Sequence, residues 1–198
     1  MNLPNKISIA RICMIPVFVL VFFLEVIPFR FVIAAAIFVI AACTDFVDGY
    51  IARSRGLVTN LGKFLDPIAD KVLVATAMIL VLTMKDTLFV LFGNAANAIY
   101  VASVISIAII LARELIISAF RQIAAANGVV MAAEKLGKYK TVFQDVAIFT
   151  LIFAADFSGT VGTVFAWVGF GLFAVATILT IWSGISYVVK NKQVLQDK

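Results

Sequence analysis

No histidine occurs anywhere in the 198 residues. Its absence removes imidazole as a general base and argues against most zinc sites. Cysteine is nearly as scarce: Cys13 and Cys43 both fall in apolar runs and read as small buried hydrophobes, not as a disulfide or a metal clip. Charge is sparse as well, at 14% of residues, where a soluble domain carries about a quarter. Long repeats and low-complexity tracts are missing. No cleavable signal is expected, since residues 1–11 are polar, no A-x-A site follows 12–24, and the hydrophobicity continues unbroken.

What is abundant is apolar surface, 64% of residues with a mean hydropathy of +1.12. The chain reads as one all-α integral membrane domain over 1–198. A bilayer core takes roughly 20 apolar residues per helix, and six stretches fit, at 12–27, 31–53, 63–84, 99–125, 141–155 and 164–189. Residues 2–11 are expected as a short interfacial lead-in. Pro16 is expected to kink the first span or mark its first turn, and Pro67 to sit in the first turn of the third, placing Asp66 at a helix N-terminus. The 18 phenylalanines read mostly as lipid-facing bulk. With a cytoplasmic N-terminus, the outer turns hold only Arg30 and Lys85 of the 16 Lys and Arg. That positive-inside bias puts 45–70, 113–140 and the tail on the cytoplasmic face. The net charge of +5 suits an anionic membrane surface or anionic substrates.

Against this background, 45–70 stands out. Asp45 and Asp48 are three apart and Asp66 and Asp70 four apart, so each pair shares a helix face. Charged groups at membrane depth are costly, and four carboxylates so close repel one another unless cations hold them. Carboxylates are hard ligands that favour Mg²⁺ or Mn²⁺. Asp45, Asp48, Asp66 and Asp70 can hold two such ions about 4 Å apart, an arrangement that clamps both oxygens of a phosphoryl displacement. Gly49 and Gly62 let a phosphate or nucleotide approach the backbone, Ala52 is small on the same face, and Arg53 can pair with a phosphate bidentately.

The spacing D-x2-D-G-x2-A-R-x8-G-x3-D-x3-D is complete in Asp45, Asp48, Gly49, Ala52, Arg53, Gly62, Asp66 and Asp70. It resembles the pattern of the CDP-alcohol phosphatidyltransferase family, and the six-span layout is similar too. The resemblance implies transfer of phosphatidyl from CDP-diacylglycerol to an alcohol with release of CMP. It implies metal binding by the first three aspartates and general-base action by Asp70. Asp48, Gly49, Ala52, Arg53 and Gly62 become the candidate CDP-diacylglycerol contacts. It also implies a multi-pass protein of the bacterial cytoplasmic membrane, with membrane lipids but no nucleic acid as partners; a homodimer stays open.

Three further segments resemble the branch of the family whose acceptor is glycerol 3-phosphate: N-L-P-N-K-I-S-x2-R at 2–11, A-R-E-L-x2-S-x2-R at 112–121 and G-K-x-K-T at 137–141. Ala119 stands where that pattern has glycine, and Asp145 is an additional acid. A phosphorylated acceptor needs a second basic cluster facing the metals, and Arg113, Arg121, Lys135 and Lys138 supply one. Lys140 reads instead as a topology or headgroup residue. Arg113, beside Glu114 inside a span, needs a partner, and a helix–helix ion pair and a substrate phosphate are comparable choices. The alternatives are another acceptor, inositol phosphate or serine, or a cation-coupled transporter.

Overall fold

The computed structural model describes the backbone of residues 3–54, 60–126 and 135–191, and the side chains of 7–44, 68–124 and 136–191. Six α-helices run in sequence: α1 (Leu3–Phe23), α2 (Arg30–Ser54), α3 (Asn60–Thr83), α4 (Ala96–Ala126), α5 (Lys135–Ala154) and α6 (Gly159–Lys190), with a 3₁₀ stretch at Phe89–Ala95 before α4. No strand occurs among the described residues. The helices pack as an up-and-down bundle in which α5 lies against α6, α1 against α2 and α3, α2 against α5, and α4 against α6.

The boundaries have local causes. Pro28 lies in the turn between α1 and α2, which Arg30 Nη1 closes on the Phe23 carbonyl at 3.5 Å and on Glu25 at 3.4 Å. The first turn of α2 is capped from across the bundle, where Val32 N–H donates to Asp156 Oδ2 at 2.7 Å. That bond satisfies one of the donors every helix start leaves open. Gly93 adopts φ 58°, ψ −127° where the 3₁₀ stretch bends into α4, a conformation that excludes a Cβ.

Several expectations need correction. Residues 2–11 are no separate lead-in: from Leu3 on they are the first turns of an unbroken α1, with Pro4 where a missing N–H is not felt and Pro16 inside the helix. α3 starts at Asn60 and α5 at Lys135, earlier than the apolar runs. Polar residues end a membrane-compatible run without ending a helix, because Lys and Asn still propagate it. Pro67 and Asp66 therefore lie beyond the first turn of α3.

Phenylalanine is also a core residue here. Phe18, Phe22, Phe31, Phe38, Phe89, Phe92, Phe120 and Phe173 are buried, and Phe22 meets Phe31 edge-on at 5.1 Å. Cys13 and Cys43 are free and exposed, not buried. The outer surface is itself apolar, so an outward thiol gives up little. That surface carries Leu20, Ile40, Ile79, Val101, Leu115, Ile178, Trp182 and Ile185. Among the described residues, Phe89–Ala124 and Gly159–Lys190 are long and apolar enough to cross a membrane, while Ile7–Phe23 and Arg30–Thr44 are apolar but shorter. The six expected spans are thus six helices, two of which meet the length and polarity of a span.

The start of α6 packs closely on the turn that precedes it. A Cβ on Gly162 would stand 1.9 Å from the Phe157 carbonyl oxygen, a backbone atom that cannot rotate away. Gly162→Ala is therefore expected to destabilise the bundle by about 1–3 kcal/mol, read as a lower thermal midpoint in detergent.

Candidate active site

The polar end of the bundle is built from α4. Glu114, Ser118 and Arg121 follow at i, i+4 and i+7, one face of a helix, with Arg113 at its edge. Each ties α4 to a neighbour. Lys71 Nζ on α3 donates to Ser118 Oγ, whose own hydroxyl donates to the Glu114 carbonyl at 2.5 Å. Lys140 Nζ on α5 pairs with Glu114 Oε1. Arg113 Nη1 reaches the same oxygen at 3.4 Å, while Nη2 donates to Ser183 Oγ on α6 at 3.0 Å. Arg121 Nε donates to Tyr187 Oη at 3.1 Å, with the guanidinium 5.3 Å from the ring centre. Gly184 makes room for the Arg113 stem, since a Cβ there would lie 3.1 Å from Arg113 Cγ. Ile117, Phe120 and Tyr187 form a small apolar cluster on the same helices.

These side chains surround a cavity of about 310 Å³ lined by Asp70, Lys71, Arg113, Glu114, Arg121, Gly137, Lys138, Lys140, Thr141 and Tyr187. Five cationic groups face two carboxylates, so the cavity favours an anion carrying more than one charge. A second cavity of about 350 Å³ shares Asp70, Lys71, Glu114, Lys140 and Thr141 and is otherwise mainly apolar, with Val74, Ala75, Met78, Leu111 and Leu115. Gln144 lines it too, buried, with Nε2 near Met78 Sδ at 3.8 Å and Oε1 without a hydrogen-bond partner among the described residues.

Asp70, Arg113, Arg121 and Lys138 are thereby brought to one cavity. The side chains of Asp45, Asp48, Gly49, Ala52, Arg53, Gly62, Asp66 and Lys135 lie outside the described residues. The backbone places the first five in the last turns of α2, and Gly62 and Asp66 early in α3. Arg113 has both a protein partner and a place on the cavity wall. Lys140 departs from its topological reading: its side chain is only 4% exposed and is held by Glu114. Lys71, Glu114, Ser118, Ser183 and Tyr187 went unassigned. Lys71 carried a signal, a cation directly after Asp70 in an apolar run. Ser183 and Tyr187 carried a weaker one, polar groups four apart on an apolar helix.

Comparison with known proteins decides the family. The model of the CDP-alcohol phosphatidyltransferase family matches residues 1–182. The chain belongs to this family. It is 37% identical to the CDP-diacylglycerol–glycerol-3-phosphate 3-phosphatidyltransferase of Bacillus subtilis (strain 168), over 98% of this chain and 97% of the relative. The enzymes of the same name from Rickettsia bellii (strain RML369-C) and Escherichia coli (strain K12) are each 38% identical, covering 94% and 100% of this chain and 93% and 98% of theirs. The family match ends before Ser183 and Tyr187, so the α6 side of the cavity lies beyond it.

For a CDP-alcohol phosphatidyltransferase, the donor chemistry fits a divalent cation. α2 and α3 pack together and carry the four aspartates, and the Asp70 side chain is on the cavity wall. Among the described residues no cluster of three or more acids occurs, and Asp45, Asp48 and Asp66 lie outside them. On the basic side, Tyr187→Phe keeps the ring against Phe120, 6.1 Å away, and deletes the acceptor for Arg121. Binding of inorganic phosphate, followed by calorimetry, is expected to weaken by about 1 kcal/mol with the thermal midpoint little changed.

Proposed function

We propose that the chain transfers the phosphatidyl group from CDP-diacylglycerol to glycerol 3-phosphate, giving phosphatidylglycerophosphate and CMP. One observation carries the reading: Asp70 shares a single cavity with Arg113, Arg121, Lys138 and Lys140. A carboxylate able to take a proton therefore stands beside cations able to hold a phosphate. The names of the full-length relatives point the same way. Serine carries no phosphate and leaves this basic wall unused. A cation-coupled transporter has no support in the family match.

The acceptor hydroxyl oxygen forms the new bond to the diacylglycerol-linked phosphorus, and the bond from that phosphorus to the CMP oxygen breaks. The hydroxyl proton passes to Asp70 and from there to water. Arg113, Arg121 and Lys138 orient the acceptor through its phosphate, which sets the attacking oxygen in line. Asp48, Gly49, Ala52, Arg53 and Gly62 hold the CDP moiety. Asp45, Asp48, Asp66 and Asp70 are the residues that would hold two divalent cations, Mg²⁺ or Mn²⁺. Bound there, the ions supply charge neutralisation for the pyrophosphate and lower the pKa of a nearby alcohol. All six helices cross the cytoplasmic membrane in this reading. Arg30 and Lys85 lie at one end, where Glu25, Asp86 and Thr87 line a cavity with Arg30, and the catalytic cavity opens at the cytoplasmic end.

The test is release of CMP from CDP-diacylglycerol by purified protein in detergent with divalent cation present, with and without glycerol 3-phosphate. Asp70→Asn is expected to lower kcat steeply while donor binding is retained. Arg113→Ala is expected to raise the KM for glycerol 3-phosphate by an amount corresponding to ~1.5–3 kcal/mol for a lost charged hydrogen bond. Lys138→Ala should do less, because its side chain is exposed. Near-normal turnover in Asp70→Asn would remove the general-base role.

A further inference from the structure

The cavity wall contains a group that a pocket for an anion does not obviously want. Glu114 stands between the polar and the apolar cavity and lines both. On its own, a carboxylate repels a phosphate. Yet Glu114 Oε1 takes both Lys140 Nζ and Arg113 Nη1. Lys140 is only 4% exposed, and a buried charge is costly unless it is paired. Arg113 and Glu114 are adjacent on α4, positions that point in different directions on a helix. Arg113 nevertheless reaches Glu114 with Nη1, while Nη2 donates to Ser183 of α6. One oxygen thus fixes two cations that come from two helices and face the same space.

We propose that Glu114 is a positioning residue of the acceptor site, holding Lys140 and Arg113 in register so that an entering phosphate meets two fixed cations. The inference rests on the transfer reading and explains the carboxylate which that reading leaves without a role. It also sets a sign. If Glu114 only repelled the ligand, Glu114→Gln would tighten the acceptor. If Glu114 only stabilised the bundle, the thermal midpoint would fall and the acceptor KM would stay. Positioning demands that Glu114→Gln weaken the acceptor even though it removes a like charge.

The experiment measures CMP release by the full-length protein in detergent, titrating glycerol 3-phosphate and CDP-diacylglycerol separately. Wild type is compared with Glu114→Gln, Glu114→Asp, Lys140→Gln and the double variant Glu114→Gln/Lys140→Gln. Glu114→Gln is expected to lower kcat/KM for glycerol 3-phosphate about tenfold or more, with the KM for CDP-diacylglycerol unchanged. Glu114→Asp, which keeps the charge, should recover part of the loss. The double variant should be no worse than the worse single one, as for residues that act as a unit. An unchanged or lowered acceptor KM in Glu114→Gln overturns the inference while transfer by wild type leaves the functional reading intact. Additive losses in the double variant overturn it equally. If wild type releases no CMP in response to glycerol 3-phosphate, the functional reading fails and takes this one with it. Should Glu114→Gln not fold, Glu114→Asp carries the test alone, since its shorter reach must also raise the acceptor KM, and a wild-type value would refute the role.

Discussion

A single carboxylate oxygen, Glu114 Oε1, receives a lysine from α5 and an arginine from α4 at the polar end of an otherwise apolar bundle. Charges placed there must be paired, because isolated ions are too costly to keep in a low-dielectric surround. The pairing dictates much else. α4 must approach α5 closely enough for Lys140, and α6 closely enough for Arg113 and Arg121 to reach Ser183 and Tyr187. Gly184 is small where the Arg113 stem passes. Lys71 brings α3 to the same helix through Ser118. Four helices meet around one network, and the cavity is the space the network encloses.

Alternating helix directions explain why this happens at one end only. The end of α2, the start of α3, the end of α4, the start of α5 and the end of α6 coincide in an up-and-down bundle. The opposite end holds short turns, and its polar contacts close the fold: Asp156 caps α2 through Val32, and Arg30 pairs with Glu25. A chain of this hydrophobicity can therefore concentrate its scarce charge at one end and keep the middle packed with Phe18, Phe38, Met78 and Ile148.

What the sequence made legible followed from patterns with few physical alternatives. The eight-position pattern named the family, and the apolar runs located six helices, all but the start of α1 to within a turn or two. Polarity does not mark the helix boundary at Asn60 or Lys135, since a helix can continue past the edge of an apolar run. Lys140 failed for a related reason. Among several lysines in one segment, nothing in the sequence says which will be buried, and burial here depends on Glu114, 26 positions away. Arg113 was read as needing a partner because it sits inside a span. Its partner Ser183, 70 positions on and beyond the family match, could come only from packing. Phenylalanine misled by abundance, because a ring suits lipid and core equally and composition does not separate the two.

The two cavities share a wall at Asp70, Lys71, Glu114, Lys140 and Thr141. That juxtaposition suits a reaction joining a water-soluble, multiply charged acceptor to an amphipathic donor. The acceptor needs cations and hydration until it is seized, whereas the lipid part of the donor needs an apolar surround. A boundary between the two media must pass through the reacting centre. The bundle builds that boundary from residues that serve both sides: Lys140 lines the apolar cavity and yet presents a paired charge to the polar one. Because its ammonium is already neutralised by Glu114, the apolar side sees a pair instead of a bare ion. The same pairing keeps the cation in place for an anion on the other side. Packing and function thus make one demand on the position of Glu114.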